Sequence, residues 1–192
     1  MVQEIAWLNA ASSAEISLRG GNITAKNAGT MMSSFTRTYP KSYHFYPATE
    51  LLGRLLEAVG RVDLAEKEFL KLANSSWAPF KSSGHFHAGN AQLKLKNFDG
   101  AKKSFAATSS VDANDNQTLA YKQLSICLTA KANAMSGNAD AAIKEIETLI
   151  KNESDTNERL FANLYNALGA CHESNGDWQK AAIAYLLSLI HI

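Results

Sequence analysis

Residues 168–185, LGACHESNGDWQKAAIAY, decide the fold. Small and apolar residues run to Cys171, a turn follows at Asn175-Gly176-Asp177, and an apolar pattern resumes from Trp178. The stretch reads as the end of one helix, a tight turn and the start of another. The same order of residue types recurs upstream. Gly137-Asn138-Ala139-Asp140-Ala141-Ala142, Lys96-Asn97-Phe98-Asp99-Gly100-Ala101 and Gly60-Arg61-Val62-Asp63-Leu64-Ala65 all have the form of Gly176-Asp177-Trp178-Gln179-Lys180-Ala181. Their closing alanines stand at 65, 101, 142 and 181, separated by 36, 41 and 39 residues. A period in this range marks a repeat architecture.

Four residues after each alanine stands a larger apolar residue: Phe69, Phe105, Ile146 and Tyr185. Positions four apart share a helix face, so a small side chain admits the neighbouring helix and the bulky one fills the space beyond. Leu52-Gly53, Ala88-Gly89 and Leu168-Gly169 precede three of the turns. A mid-helix glycine costs about 1 kcal/mol against alanine, so a close backbone contact is expected at each. A fainter copy opens the chain. Residues 3–18 read as a helix ended by Gly20-Gly21, and residues 24–37 as a second, with Ala28, Met32 and Phe35 at helical spacing and Pro40 as a stop.

On these residues the chain resembles the tetratricopeptide repeat (TPR), a helix–turn–helix unit. The resemblance implies an all-α fold, a right-handed α–α superhelix of about five hairpins. These fall at about 3–40, 45–75, 79–110, 117–151 and 157–186, in a single solenoid domain spanning 1–192. The fourth departs from the pattern, with Thr129-Ala130 where the family has its Leu-Gly pair. Polar stretches at Ser109–Asn116 and Lys151–Asn157 read as loops between hairpins. The order of hairpins also resembles bacterial envelope-associated TPR proteins, while two free cysteines fit a reducing compartment. The location therefore stays open between the cytoplasm and a bacterial cell envelope (periplasm). In the family the concave surface typically binds peptides or partner helices. The resemblance therefore implies a non-catalytic scaffold or adaptor for a protein or peptide partner. The competing expectations are a docking module of a larger enzyme and a plain structural spacer.

The closing LSLIHI, residues 187–192, resembles the translation of a sequencing tag, so the chain is expected to be a fragment of a longer protein. A solenoid needs a polar-faced terminal helix. Trp178, Tyr185 and Leu186 are therefore expected to be partly bare, and self-association through this uncapped hairpin is expected.

Charge and composition exclude several classes. With 19 basic and 18 acidic side chains and no basic stripe, nucleic acid is not an expected partner. No apolar run reaches the ~20 residues of a membrane span. The two cysteines, Cys127 and Cys171, fall inside apolar helical patterns and read as core residues rather than a disulfide framework. Cys171 and His172 are neighbours on a helix and diverge, so they do not form a nucleophile–base pair. His85 and His87 point about 200° apart on a helix and do not chelate one metal. Nothing in the chain reads as catalytic, and no cofactor or metal is expected.

The aromatic run from Tyr39 to Pro47 reads as filling for the joint between the first two hairpins, with a contact patch as the alternative. Trp7 and Trp77 are likewise expected in the core. If the first helices face inward, Arg54, Phe86, Asn90, Lys94, Lys131 and Asn166 are the candidate groove residues. Asn90 and Lys94 share a face, and the resemblance implies that such lysines and asparagines hold a carboxylate. Basic residues do not, however, recur at equivalent places on three successive first helices, and a solvated helix face is the alternative reading.

Overall fold

The repeat pattern translates into paired helices along the chain. The computed structural model describes residues 1–113, 115–152 and 158–190, and the described residues contain helices and no strands. The hairpins are α1 (Val2–Leu18) with α2 (Ala25–Thr38), α3 (Phe45–Ala58) with α4 (Val62–Ala73), and α5 (Ala78–Lys94) with α6 (Phe98–Ser109). They continue with α7 (Asn116–Asn133) and α8 (Ala139–Asn152), then α9 (Glu158–Ser174) and α10 (Trp178–Ile190). Residues 187–190 continue α10. His191, Ile192 and part of both expected loops (114 and 153–157) lie outside the described residues.

Helix starts are written in short polar side chains. Thr24 caps α2 by accepting from the Asn27 amide at 3.3 Å, and Asn97 caps α6 by accepting from the Gly100 amide at 3.1 Å. Asp115 caps α7, accepting from the Thr118 amide at 2.9 Å and the Thr118 hydroxyl at 2.7 Å. Pro79 occupies the first turn of α5, where its missing N–H costs nothing.

The turns inside the hairpins use one backbone device. Gly60, Gly137 and Gly176 each stand five residues before the repeat alanine, with φ of 76°, 98° and 81°. In the third hairpin the same place holds Lys96, at φ 59°. A side chain there carries a steric penalty that glycine avoids. Lys96→Gly is accordingly expected to stabilise the fold by about 1 kcal/mol, read as a raised urea midpoint at constant m value. A lowered midpoint would mean that the lysine side chain contributes more than its backbone costs.

The repeat alanines Ala65, Ala101, Ala142 and Ala181 are all buried, as are Phe69, Phe105 and Ile146. What each glycine meets differs from the expectation. Methyl groups on Gly89 and Gly169 would lie 2.5 Å from Phe105 Cε1 and 2.6 Å from Tyr185 Cε1, and one on Gly53 would enter the Phe69 ring. In each case the ring belongs to the residue sixteen positions later, on the second helix of the same hairpin. The glycines are kept for an aromatic ring and not for a backbone. The fourth hairpin keeps the spacing with other residues: Ala130 lies sixteen before Ile146, and both are buried. A smaller aliphatic side chain leaves room for one methyl, which accounts for the missing glycine.

The first joint is aromatic, as expected. Trp7 stacks on His44 with centroids 4.6 Å apart and tilts against Phe35 at 5.6 Å, and Phe35 meets Tyr39 at 5.3 Å. Glu4 meets His44 Nε2 at 3.0 Å across the same joint. Trp77 corrects the expectation. It is 49% exposed and forms an edge contact with Tyr43, itself 73% exposed. It stands before α5 in extended backbone, outside the helical register that buries core positions. At the other end α10 buries Ala181, Ala184 and Ser188 and exposes Trp178, Ile183, Leu186, Leu189 and Ile190. Tyr185 is half-buried because its ring covers Gly169.

A candidate partner groove on the first helices

Successive first helices touch one another: α1 meets α3, α3 meets α5, α5 meets α7 and α7 meets α9. The second helices pack mainly on the first helices before and after them. A stack tighter along one side curves toward it, so the first helices form the inner, concave wall.

One position recurs on that wall. The residue after the small packing residue is Arg54 on α3, Asn90 on α5, Lys131 on α7 and Ala170 on α9. Arg54 is exposed, Asn90 and Lys131 are half-buried, and Ala170 is buried. Neither Arg54 nor Lys131 forms an ion pair among the described residues. Asn90 donates through Nδ2 to the Phe86 carbonyl at 3.2 Å, which orients its amide and leaves the amide oxygen unengaged by that bond.

The remaining candidates are placed differently. Phe86 is 8% exposed, with its ring stacked 4.5 Å from that of Tyr121 on α7, so it joins two hairpins and offers little surface. Lys94 donates to Glu57 Oε1 at 2.7 Å, tying α5 to α3. Asn166 is exposed on α9, four residues before Ala170.

Glu50 and Ser83 of this wall were not singled out by the sequence, and His87 was considered only as a metal ligand. Ser83 donates to Glu50 Oε1 at 3.0 Å, and burial outweighs that bond and the nearby Arg54 charge to push the Glu50 carboxyl above its ordinary pKa. His87 lies between Phe69, 5.0 Å away by centroid, and Tyr121, whose hydroxyl is 3.4 Å from Nε2. Burial, with the Arg54 and Lys94 charges adding to it, pushes the His87 pKa down to about 4. The imidazole is therefore neutral at neutral pH. The Glu57–Lys94 separation of 37 residues is close to the repeat step, and a search for opposite charges one repeat apart finds that pair.

Chemical alternatives find little support in the geometry. Burial pushes the Cys127 and Cys171 thiols up to about 12 and about 11, so both are protonated at neutral pH and neither is an activated nucleophile. His85 sits beside Lys81 and Val111 while His87 faces Tyr121, so the two do not converge. Among the described residues no three His, Cys, Asp or Glu side chains stand close enough to hold a metal ion, and no helix is long and apolar enough to cross a membrane.

Fold and inner wall together define an all-α solenoid of TPR-like helical hairpins. The chain matches no protein-family model and no curated protein. Among solved structures it is similar to the nearly identical TPR-like repeats of a kinesin light chain-like protein of Podosopora anserina, at 13% identity. The TM-score is 0.70, over 95% of this chain and 93% of that one. A variant of the same protein gives 0.73, also at 13% identity, over 95% and 92%. A double mutant of MamA RS-1 gives 0.62 at 16% identity, over 97% and 93%.

Proposed function

We propose that the chain is a non-catalytic scaffold that holds a protein or peptide partner along its concave wall. Arg54, Asn90 and Lys131 receive an acidic or carboxylate-terminated segment in this reading. The observation that carries it is the recurrence of these three polar residues at one equivalent position on successive first helices. Regularly spaced donors suit an extended chain, whose carboxylates and carbonyls repeat along its length. Lys94 and Asn166 flank the row, and Phe86 supports it from beneath by joining α5 to α7.

The test begins with a peptide selected from a random display library against the whole chain. Arg54→Ala combined with Asn90→Ala and Lys131→Ala is expected to weaken it at least tenfold, about 1.4 kcal/mol by titration calorimetry. Wild-type affinity is expected to fall with added salt, because Arg54 and Lys131 attract the acidic segment through charge that solvent ions screen. Undiminished affinity in the triple variant would remove the row from the binding surface.

A further inference from the structure

A second groove lies on the other side of α3. At 100° per residue, Leu52, Leu55, Leu56 and Val59 share one stripe of α3, and Arg54 points away from it. With Leu64 of α4 they line a cleft of about 620 Å³ between α2, α3 and α4, in which Leu52 and Leu55 are buried against α2 and Leu56, Val59 and Leu64 present the apolar surface. Its rim is cationic, with Lys26 and Arg37 on α2, and Lys67 and Lys71 on α4. The one carboxylate in the lining, Glu68, accepts from Lys71 at 2.7 Å. Lys26, Arg37 and Lys67 are exposed and form no ion pair among the described residues.

The α2 wall adds an independent observation. A glycine inside a helix lowers stability relative to alanine. At Gly53, Gly84, Gly89 and Gly169 a methyl group would collide with a ring or a backbone. At Gly29 it would meet only Leu55 Cβ, at 4.0 Å, an ordinary contact. Packing within the fold therefore leaves room for a side chain at Gly29, which lies in the groove wall between Ala25 and Ser33 on the same face of α2. A bare backbone at that point suits something that approaches it closely.

We propose that this groove binds an acidic amphipathic helix of a partner protein. Its backbone lies against α2 at Gly29, its apolar stripe on Leu56, Val59 and Leu64, and its carboxylates against Lys26, Arg37 and Lys67. The wall from Ala25 to Arg37 is about 18 Å long at 1.5 Å per residue, room for about three helical turns. The cations stand on both walls and at both ends of α2. That matches carboxylates distributed along a helix, whereas a lipid headgroup would need them gathered at one end. This site shares none of Arg54, Asn90 and Lys131, so its failure leaves the concave reading intact.

The test uses the whole chain and two helix-stapled synthetic peptides of about 14 residues. Both carry the same leucine stripe, one flanked by glutamates and the other by lysines. The glutamate peptide is expected to bind at least tenfold more tightly and to shift the amide resonances of Gly29, Ser33, Val59 and Leu64. Lys26→Glu with Lys67→Glu should reduce that binding at least tenfold with an unchanged thermal midpoint, and Gly29→Leu should block it by filling the groove. The charge-reversal pair keeps the test valid if Gly29→Leu disturbs folding. The proposal is overturned by equal affinity for the two peptides, by binding of neither, or by shifts confined to Arg54, Asn90 and Lys131. It is also overturned if dodecanoate occupies the groove and the glutamate peptide does not.

Discussion

Gly89→Ala is expected to destabilise the protein by about 2 kcal/mol, even though alanine is the better helix former by about 1 kcal/mol. The added methyl would sit 2.5 Å from Phe105 Cε1, and Phe105 is fully buried, so the ring cannot swing into solvent to relieve the clash. Phe105→Ile alone should cost about 2 kcal/mol, through lost contacts and the cavity left over Gly89. The double variant recreates the Ala130–Ile146 pair of the fourth hairpin, in which the methyl and the smaller side chain coexist. It is expected to cost at least about 1 kcal/mol less than the two single changes added together. Urea unfolding of the four proteins measures the coupling. Hydrogen exchange of α5 and α6 shows whether the loss is local or spreads along the array, since each hairpin is stabilised by its neighbours. Simple additivity would show that the two residues do not read each other, and the packing rule would fail.

That rule shows what the sequence could and could not reveal. The all-α hairpin repeat was legible, because the small–large spacing within one helix is visible in one dimension. The partner of each glycine was not visible, because a sixteen-residue separation crosses a turn and connects two helices whose relative rotation the sequence does not state. Trp77 was misplaced for a similar reason. It resembles a core residue in composition, but it precedes Pro79 in extended backbone and projects toward Tyr43. The groove candidates were separated only by their neighbours in space. Lys94 is held by Glu57 and Phe86 is covered by Tyr121, whereas Arg54 and Lys131 have no ion-pair partner among the described residues. His87 was read as half of a failed metal pair, and its role as a polar group set among rings emerged only from the packing of α4, α5 and α7.

His87 should make the fold sensitive to mild acid. Its folded pKa is about 4 against 6.5 for an unperturbed imidazole, so the unfolded chain takes up a proton that the folded chain refuses. The contribution is complete above 6.5 and is lost progressively as pH falls toward 4, where the folded imidazole also protonates. At 1.36 kcal/mol per unit the full loss is about 3 kcal/mol. Glu50 acts in the opposite direction. Its carboxyl is raised mainly by burial, so the folded protein protonates it before the unfolded chain does, and this favours folding as pH falls. The informative quantity is therefore the difference between wild type and His87→Phe. The substitution keeps a ring against Phe69 and Tyr121 and removes the titration, while Gln117 still donates to the Tyr121 hydroxyl at 3.1 Å. Wild type is expected to lose about 3 kcal/mol more than the variant between pH 6.5 and pH 4, measured as urea midpoints at constant m value. Parallel curves would mean that the imidazole is solvated or repositioned enough to charge in place. The same protonation would place a third positive charge near Arg54 and Lys94, and that repulsion adds to the burial that holds the imidazole neutral.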